Sequence, residues 1–279
     1  QPAETWIANL ECPVTKEQTS YRLMRTLLKF SCRPEYLVPA KRHFDVFSLA
    51  NNHSDNMEEV QGLQQSRDFL AQHNLQFFGH YDNAEVGDLC EIVDVTVEPL
   101  DANGETFIPK TNKDEFLTTI PIALCGYHNV YKLPTDEELD VILDVSRYFI
   151  TIVMPHQGEE YKIYENRWQQ KVFRAMIDRG ADMVMGGHTH SVQRTEVYQN
   201  KLIVYSLGNF IFDQVFSRDV RRGLIVSADL YLNPTQDEVN DVHLLGGCSQ
   251  FKDDCLETMA VHDLPKLKYS VVYSAQVSE

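Results

Sequence analysis

An α/β fold with layered sheets is predicted for this chain, and three observations carry the prediction. Apolar, β-branched runs of four residues or more recur along it, the composition of strands buried on both faces. Stretches with apolar residues at helical spacing separate those runs. The strand candidates end in Asn, His, Glu or Gly, and ligands of α/β sheets bind beyond the carboxyl ends of the strands.

In chain order the strand candidates are TWIANL (5–10), FDVFSLA (44–50), LQFFG (75–79), CEIVDVTV (90–97), TTIPIALCG (118–126), YFITIVMP (148–155), ADMVMGG (181–187), KLIVYSLG (201–208) and GLIVSADLYL (223–232). Residues 57–74 place Val60, Leu63 and Leu70 on one helical face, with Glu58 and Glu59 where a helix dipole favours acids. Residues 135–145 begin with Thr135 as N-cap, followed by acids. Residues 164–180 put Trp168, Val172, Phe173, Met176 and Ile177 on one stripe that stops at Gly180. Residues 98–116 lack periodicity and read as a long loop or hairpin insertion. Residues 1–232 are expected to form the main domain, with 233–279 a C-terminal extension packed on it.

The 279 residues carry 41 acids and 25 bases, a net charge of −16, with 43% hydrophobic residues. That composition supports a sizeable core and disfavours binding to a nucleic-acid backbone. No apolar run reaches the ~18–20 residues that span a bilayer. The first residue is Gln1, and a leader or anchor is expected upstream of it. The six cysteines form no C-x-x-C pair. Cys12/Cys32 and Cys248/Cys255 are candidate disulfides, whereas Cys90 and Cys125, in apolar runs, read as buried hydrophobes.

The polar strand ends are Asn9 and Glu11 after the first run, Asn51, Asn52 and His53 after the second, His156 and Glu160 after the sixth, His188 and His190 after the seventh, and Asn209 after the eighth. His128 follows the fifth and can line the same pocket. Imidazole together with amide and carboxylate oxygen suits Zn, Mn or Fe. Two such cations about 3.5–4 Å apart clamp a phosphoryl or acyl centre and activate water.

Taken together, ANLECPVT, FDVFSLANNHSDN, HQGEEY, GGHTHSVQ and VYSLGNFIFDQ resemble the motifs of the bacterial capsule-synthesis CapA family, associated with poly-γ-glutamate. That family is a branch of the calcineurin-like metallophosphoesterases, and the resemblance runs from Ala8 to Gln214. It implies a four-layer α/β/β/α sandwich with two divalent metals at the strand ends. On the matching positions it implies Glu11, Asn52, His156, His188 and His190 as metal ligands and His53 as the catalytic imidazole. Asn9, Asn51, Glu160, Asn209 and His128 would support the ligands or face substrate. It further implies a hydrolase-like protein for synthesis, release or anchoring of an anionic envelope polymer such as poly-γ-glutamate. The setting would be the outer face of the cell membrane, beside a membrane synthase complex, held by a segment upstream of this chain. The chain departs from the family pattern at Gln157, Thr189 and Asn56. It also lacks the family's opening strand ending in Gly-Asp, which is expected upstream. A small-molecule phosphoesterase and a non-catalytic polymer-handling subunit are the alternatives.

Overall fold

The computed structural model describes residues 4–100, 119–235 and 266–278. Three short parallel strands, β1 (Ile7–Asn9), β2 (Val46–Ser48) and β3 (Gln76–Phe78), form one sheet in that order. Six strands form a second: β4 (Cys90–Thr96), β5 (Thr119–His128), β6 (Ile150–His156), β7 (Met183–Met185), β8 (Thr195–Tyr198) and β9 (Lys201–Val204). Their order is β4-β5-β6-β7-β9-β8, parallel inside and antiparallel at both edges. The strands β10 (Gly223–Leu232) and β11 (Tyr269–Ser278) pair antiparallel along their length. The helices are α1 (Tyr21–Leu27), α2 (Leu37–Ala40), α3 (Val60–Gln72), α4 (Asp136–Ser146) and α5 (Arg167–Asp178). The α/β class is therefore observed. None of the helices is long and apolar enough to cross a membrane, among the described residues.

Strand alternation distributes the core. On β5, Ala123, Cys125 and Tyr127 join a cluster with Ile142 of α4 and Phe173 and Met176 of α5, while Ile120, Ile122 and Leu124 join Val46 and Phe78 of the small sheet. On β2, Val46 faces the large sheet, and its neighbour Phe47 packs with Leu63 and Leu70 of α3. Successive side chains of one strand thus serve opposite faces, and the three-stranded and six-stranded sheets are each packed on both.

The helices start where polar caps allow. Thr135 accepts from the Glu138 amide while the Glu138 carboxylate accepts from the Thr135 amide, and Asn166 and Gln169 repeat this reciprocal cap on α5. Two expectations need correction. Glu58 and Glu59 precede α3 with left-handed φ of 58° and 52°, so they do not occupy its first turn. Trp168 is 42% exposed, held by Arg167 and Lys171 over its ring rather than by the core stripe.

The structure contains a Cys12–Cys32 disulfide, as the spacing allowed. Cys90 and Cys125 are buried but not free. They face each other in the antiparallel β4–β5 register, 4.0 Å apart at Cα, and are also bridged. The candidate pair Cys248/Cys255 lies outside the described residues.

Among the described residues β1 pairs with β2 and β10 with β11, and the start of β10 also bridges Gly208 through Gly223. Their other edges both line a groove of about 1470 Å³. Consecutive residues 4–12 and 223–234 border it, so backbone edges as well as side chains form its walls. Ile120, Ile122, Ile152, Met154 and Met183 line it from the large sheet, and one end reaches Glu11, His156, His188 and His190.

Candidate metal centre

The strands of both sheets bring their carboxyl ends to one place. β1 delivers Asn9 and, just beyond it, Glu11; β2 leads into Asn51, Asn52 and His53; β6 ends at His156; β7 leads into His188 and His190. Gly186 is required there by packing, because a Cβ would lie 2.3 Å from the Tyr205 carbonyl oxygen. At Gly187 a Cβ would make only an ordinary 3.6 Å contact with the His156 ring. His188 and His190 both adopt positive φ, 85° and 55°. Such conformations are uncommon for non-glycine residues and collect at functional sites.

The centre of the group is His156 Nε2. It lies 2.8 Å from Asn52 Oδ1, 3.2 Å from His188 Nδ1 and 3.6 Å from Glu11 Oε1. Glu11 Oε1 is also 3.7 Å from His190 Nε2, and it has no hydrogen-bond partner although it is buried. Ligand atoms of Glu11, His156 and His188 all lie within 4.8 Å of one another. A neutral imidazole nitrogen carries at most one proton, so His156 Nε2 cannot serve Asn52 Oδ1, Glu11 Oε1 and His188 Nδ1 together. A divalent cation would satisfy all of them, and the donor set of imidazole, amide oxygen and carboxylate is one that Zn, Mn or Fe accepts. The residues present therefore fit a metal.

The electrostatics agree. Burial, then the charge of Glu160, pushes the Glu11 carboxyl up to about 8 against the hydrogen bond from Asn9. Burial and the neighbouring imidazoles hold His156 well below its ordinary value. Burial, then His190, His128 and His53, brings His188 down to about 3. Without a cation the group thus holds neutral imidazoles and a carboxyl that keeps its proton up to about pH 8.

The remaining expected residues surround this centre. Asn51 is fully buried and splints the two strand ends: its Nδ2 donates to Asn9 Oδ1 (3.0 Å) and the Leu10 carbonyl (2.9 Å), and its Oδ1 accepts from the His53 amide (3.1 Å). Asn9 donates onward to Glu11 (3.0 Å). Asn209 Oδ1 lies 2.8 Å from His190 Nδ1, which leaves Nε2 for the centre. His53 Nδ1 donates to Asn56 Oδ1 (2.9 Å), and burial lowers the basicity of the ring. His128 stands beside His156 with ring centroids 6.4 Å apart. Arg194 is engaged by Glu165.

Sequence reasoning missed the aromatic surround. Phe30 packs on His53 (4.4 Å between centroids), Phe212 on His190 (5.1 Å), and Tyr161 stacks on His190 (5.8 Å). Tyr161 directly follows Glu160 in the HQGEEY motif, and Phe212 lies in the NFIFDQ motif, so both were within reach of the motif reading. Phe30 carried no such signal. Its place depends on the loop closed by the Cys12–Cys32 bridge.

The fold and this centre define an α/β protein with a group at its strand ends that fits a metal. Residues 1–214 match the model of the bacterial capsule synthesis protein PGA_cap, and the chain belongs to that family. It is similar to the PGA biosynthesis protein CapA of Bacillus subtilis (strain 168), 29% identical over 268 residues covering 92% of this chain and 67% of the relative. It is similar also to the capsule biosynthesis protein CapA of Bacillus anthracis, 28% identical over 227 residues covering 78% and 52%. The chain thus spans about two thirds of the one and about half of the other. An uncharacterized protein, y4sH of Sinorhizobium fredii (strain NBRC 101917 / NGR234), is 39% identical over 112 residues, 38% of this chain and 22% of that one.

Proposed function

We propose that this protein is a metal-dependent hydrolase acting in synthesis, release or anchoring of poly-γ-glutamate or a related anionic envelope polymer. The observation that carries the reading is the convergence of Glu11, Asn52 and His188 on one nitrogen of His156, supported by relatives named for capsule and PGA biosynthesis. A bound divalent cation would lower the pKa of a coordinated water and polarise the scissile group. Glu11, Asn52, His156, His188 and His190 would hold it, and a second cation would draw on the same residues. Asn51 and Asn9 fix the Glu11 carboxylate, and Asn209 fixes the His190 ring. His53 is the proton-transfer group. With its Nδ1 proton committed to Asn56, its Nε2 presents a lone pair that accepts a proton and returns it to the leaving group. Phe30 restricts the ring on one side.

The reading extends to the four-layer α/β/β/α arrangement. We take the groove between β1 and β10 as the seat of an upstream strand ending in Gly-Asp, whose carboxylate would complete the site at its His190 end. Two facing strand edges and the greater length of the relatives support this. An outer-face location, anchored by that upstream region, fits the two disulfides, since such bridges persist outside the cytoplasm.

The test is turnover by Mn-loaded protein on a panel of phosphoesters and γ-glutamyl amides. We expect His53→Ala to retain metal and lose 10²-fold or more of its turnover, about the contribution of a general acid–base. Equal rates for wild type and His53→Ala contradict the assignment. A wild type that binds metal but turns over neither substrate class contradicts hydrolysis.

A further inference from the structure

His128 ends β5, and the parallel register sets it against His156 at the end of β6. Its surroundings hold it in one orientation. Its amide donates to Asn83 Oδ1 (3.0 Å), and its carbonyl accepts from Asn83 Nδ2 (3.2 Å). Its Nδ1 lies 2.7 Å from the Tyr81 carbonyl oxygen. A carbonyl oxygen only accepts, so Nδ1 carries the ring proton and Nε2 is left with a lone pair. That Nε2 is buried and has no hydrogen-bond partner. A proton on Nε2 would find no partner there either. His128 nevertheless stands outside the ligand group formed by Glu11, His156 and His188, and it does not line the groove. An acceptor fixed by the protein, buried and next to the metal-binding imidazoles, needs a donor, and the neighbouring residues named here supply none.

We propose that His128 Nε2 accepts a hydrogen bond from an O–H of a tetrahedral oxyanion bound at the histidine cluster, and so selects ligands that carry such a proton. The proposal rests on the metal-site reading and adds a specificity to it. Monohydrogen phosphate has the required O–H, whereas sulfate, of similar shape and charge, has none at about pH 8. A site built around a hydrogen bond rejects the analogue that lacks the donor, because its own acceptor is then left unpaired.

The experiment measures binding of inorganic phosphate and of sulfate to the Mn-equilibrated chain by calorimetry, with bound Mn determined on the same samples. Wild type is expected to prefer phosphate by about tenfold or more. His128→Phe should lose that preference with its Mn content unchanged. His128→Gln, whose amide oxygen can accept, should keep part of it. Wild type that binds Mn but shows the same phosphate-to-sulfate ratio as His128→Phe overturns the role of His128 and leaves the metal reading standing. Wild type that binds no Mn overturns the metal reading, and His128 falls with it. Loss of Mn in both variants also overturns the proposal, because it makes His128 part of the metal's support.

Discussion

Strand β7 separates two buried polar clusters. Asp182 precedes it at one end, and His188 and His190 follow it at the other. Asp182 accepts from the Thr151 amide (2.8 Å), Lys201 (2.6 Å), Lys266 (2.5 Å) and the Tyr269 hydroxyl (2.6 Å). Burial alone would push this carboxyl up, but the Lys266 charge and the bonds from Lys201, Lys266 and Tyr269 hold it below the usual carboxylate range. At the other end Glu11 meets acceptors and imidazoles rather than cations and is pushed up to about 8. One buried carboxylate has its counter-charges built in, and the other has them missing. A cluster that satisfies itself serves architecture, here by fastening β11 to the large sheet. A cluster of neutral imidazoles around a carboxyl that lacks a counter-charge is built for something that arrives.

The comparison can be broken most forcefully at Asp182. Asp182→Ala leaves two ammonium groups and a hydroxyl without their shared acceptor, and should cost about 3–5 kcal/mol in denaturant unfolding. Metal content should not change. Loss of metal in a folded Asp182→Ala protein would mean the two clusters are not independent.

Glu11 gives the opposite sign. Its folded pKa is raised from 4.5 to about 8, so between those values the native state binds the proton that the unfolded state has released. Stability of metal-stripped protein should therefore fall as pH rises through this window, by a few kcal/mol on the order given by the shift. Glu11→Gln should flatten that part of the profile. An equal pH slope in Glu11→Gln and wild type would remove Glu11 as the source. At Asp182 the depressed pKa works the other way, contributing stability above the unfolded value that is lost as pH falls into the acid range.

The smallest expected effect is Tyr269→Phe, which removes one of four hydrogen bonds to Asp182 and should cost about 1 kcal/mol by thermal or denaturant melting. A value near that for Asp182→Ala would show that the cluster acts as a single network.

The two clusters also differ in how far the sequence disclosed them. The histidine end was legible because each of its residues follows an apolar run, so local pattern and chemistry coincide at Asn52, His156, His188 and His190. The Asp182 cluster was not. Its partners lie 19, 84 and 87 residues away, and each alone is an ordinary surface-type residue. The Cys90–Cys125 bridge was hidden for the same reason, since only the β4–β5 register opposes the two residues. Strand β8 escaped notice because it is short and half exposed, although Gln199 and Asn200, both at positive φ, form a two-residue turn of the kind that joins hairpin strands. Strand β11 lies in a stretch whose pairing with β10 shows no strong local pattern.

The central claim is that Glu11, Asn52, His156 and His188 await a divalent cation, and metal binding tests it most directly. Wild type, His156→Ala, His190→Ala and Asp182→Ala would be dialysed against a fixed free concentration of Mn or Zn and their metal content determined by mass spectrometry. The account predicts bound metal in wild type and Asp182→Ala. It predicts affinity reduced at least 10-fold in His156→Ala and His190→Ala, since changes to residues that merely support ligands already reduce it by about 10–100-fold. Equal metal in wild type and His156→Ala, or none in folded wild type, would contradict it.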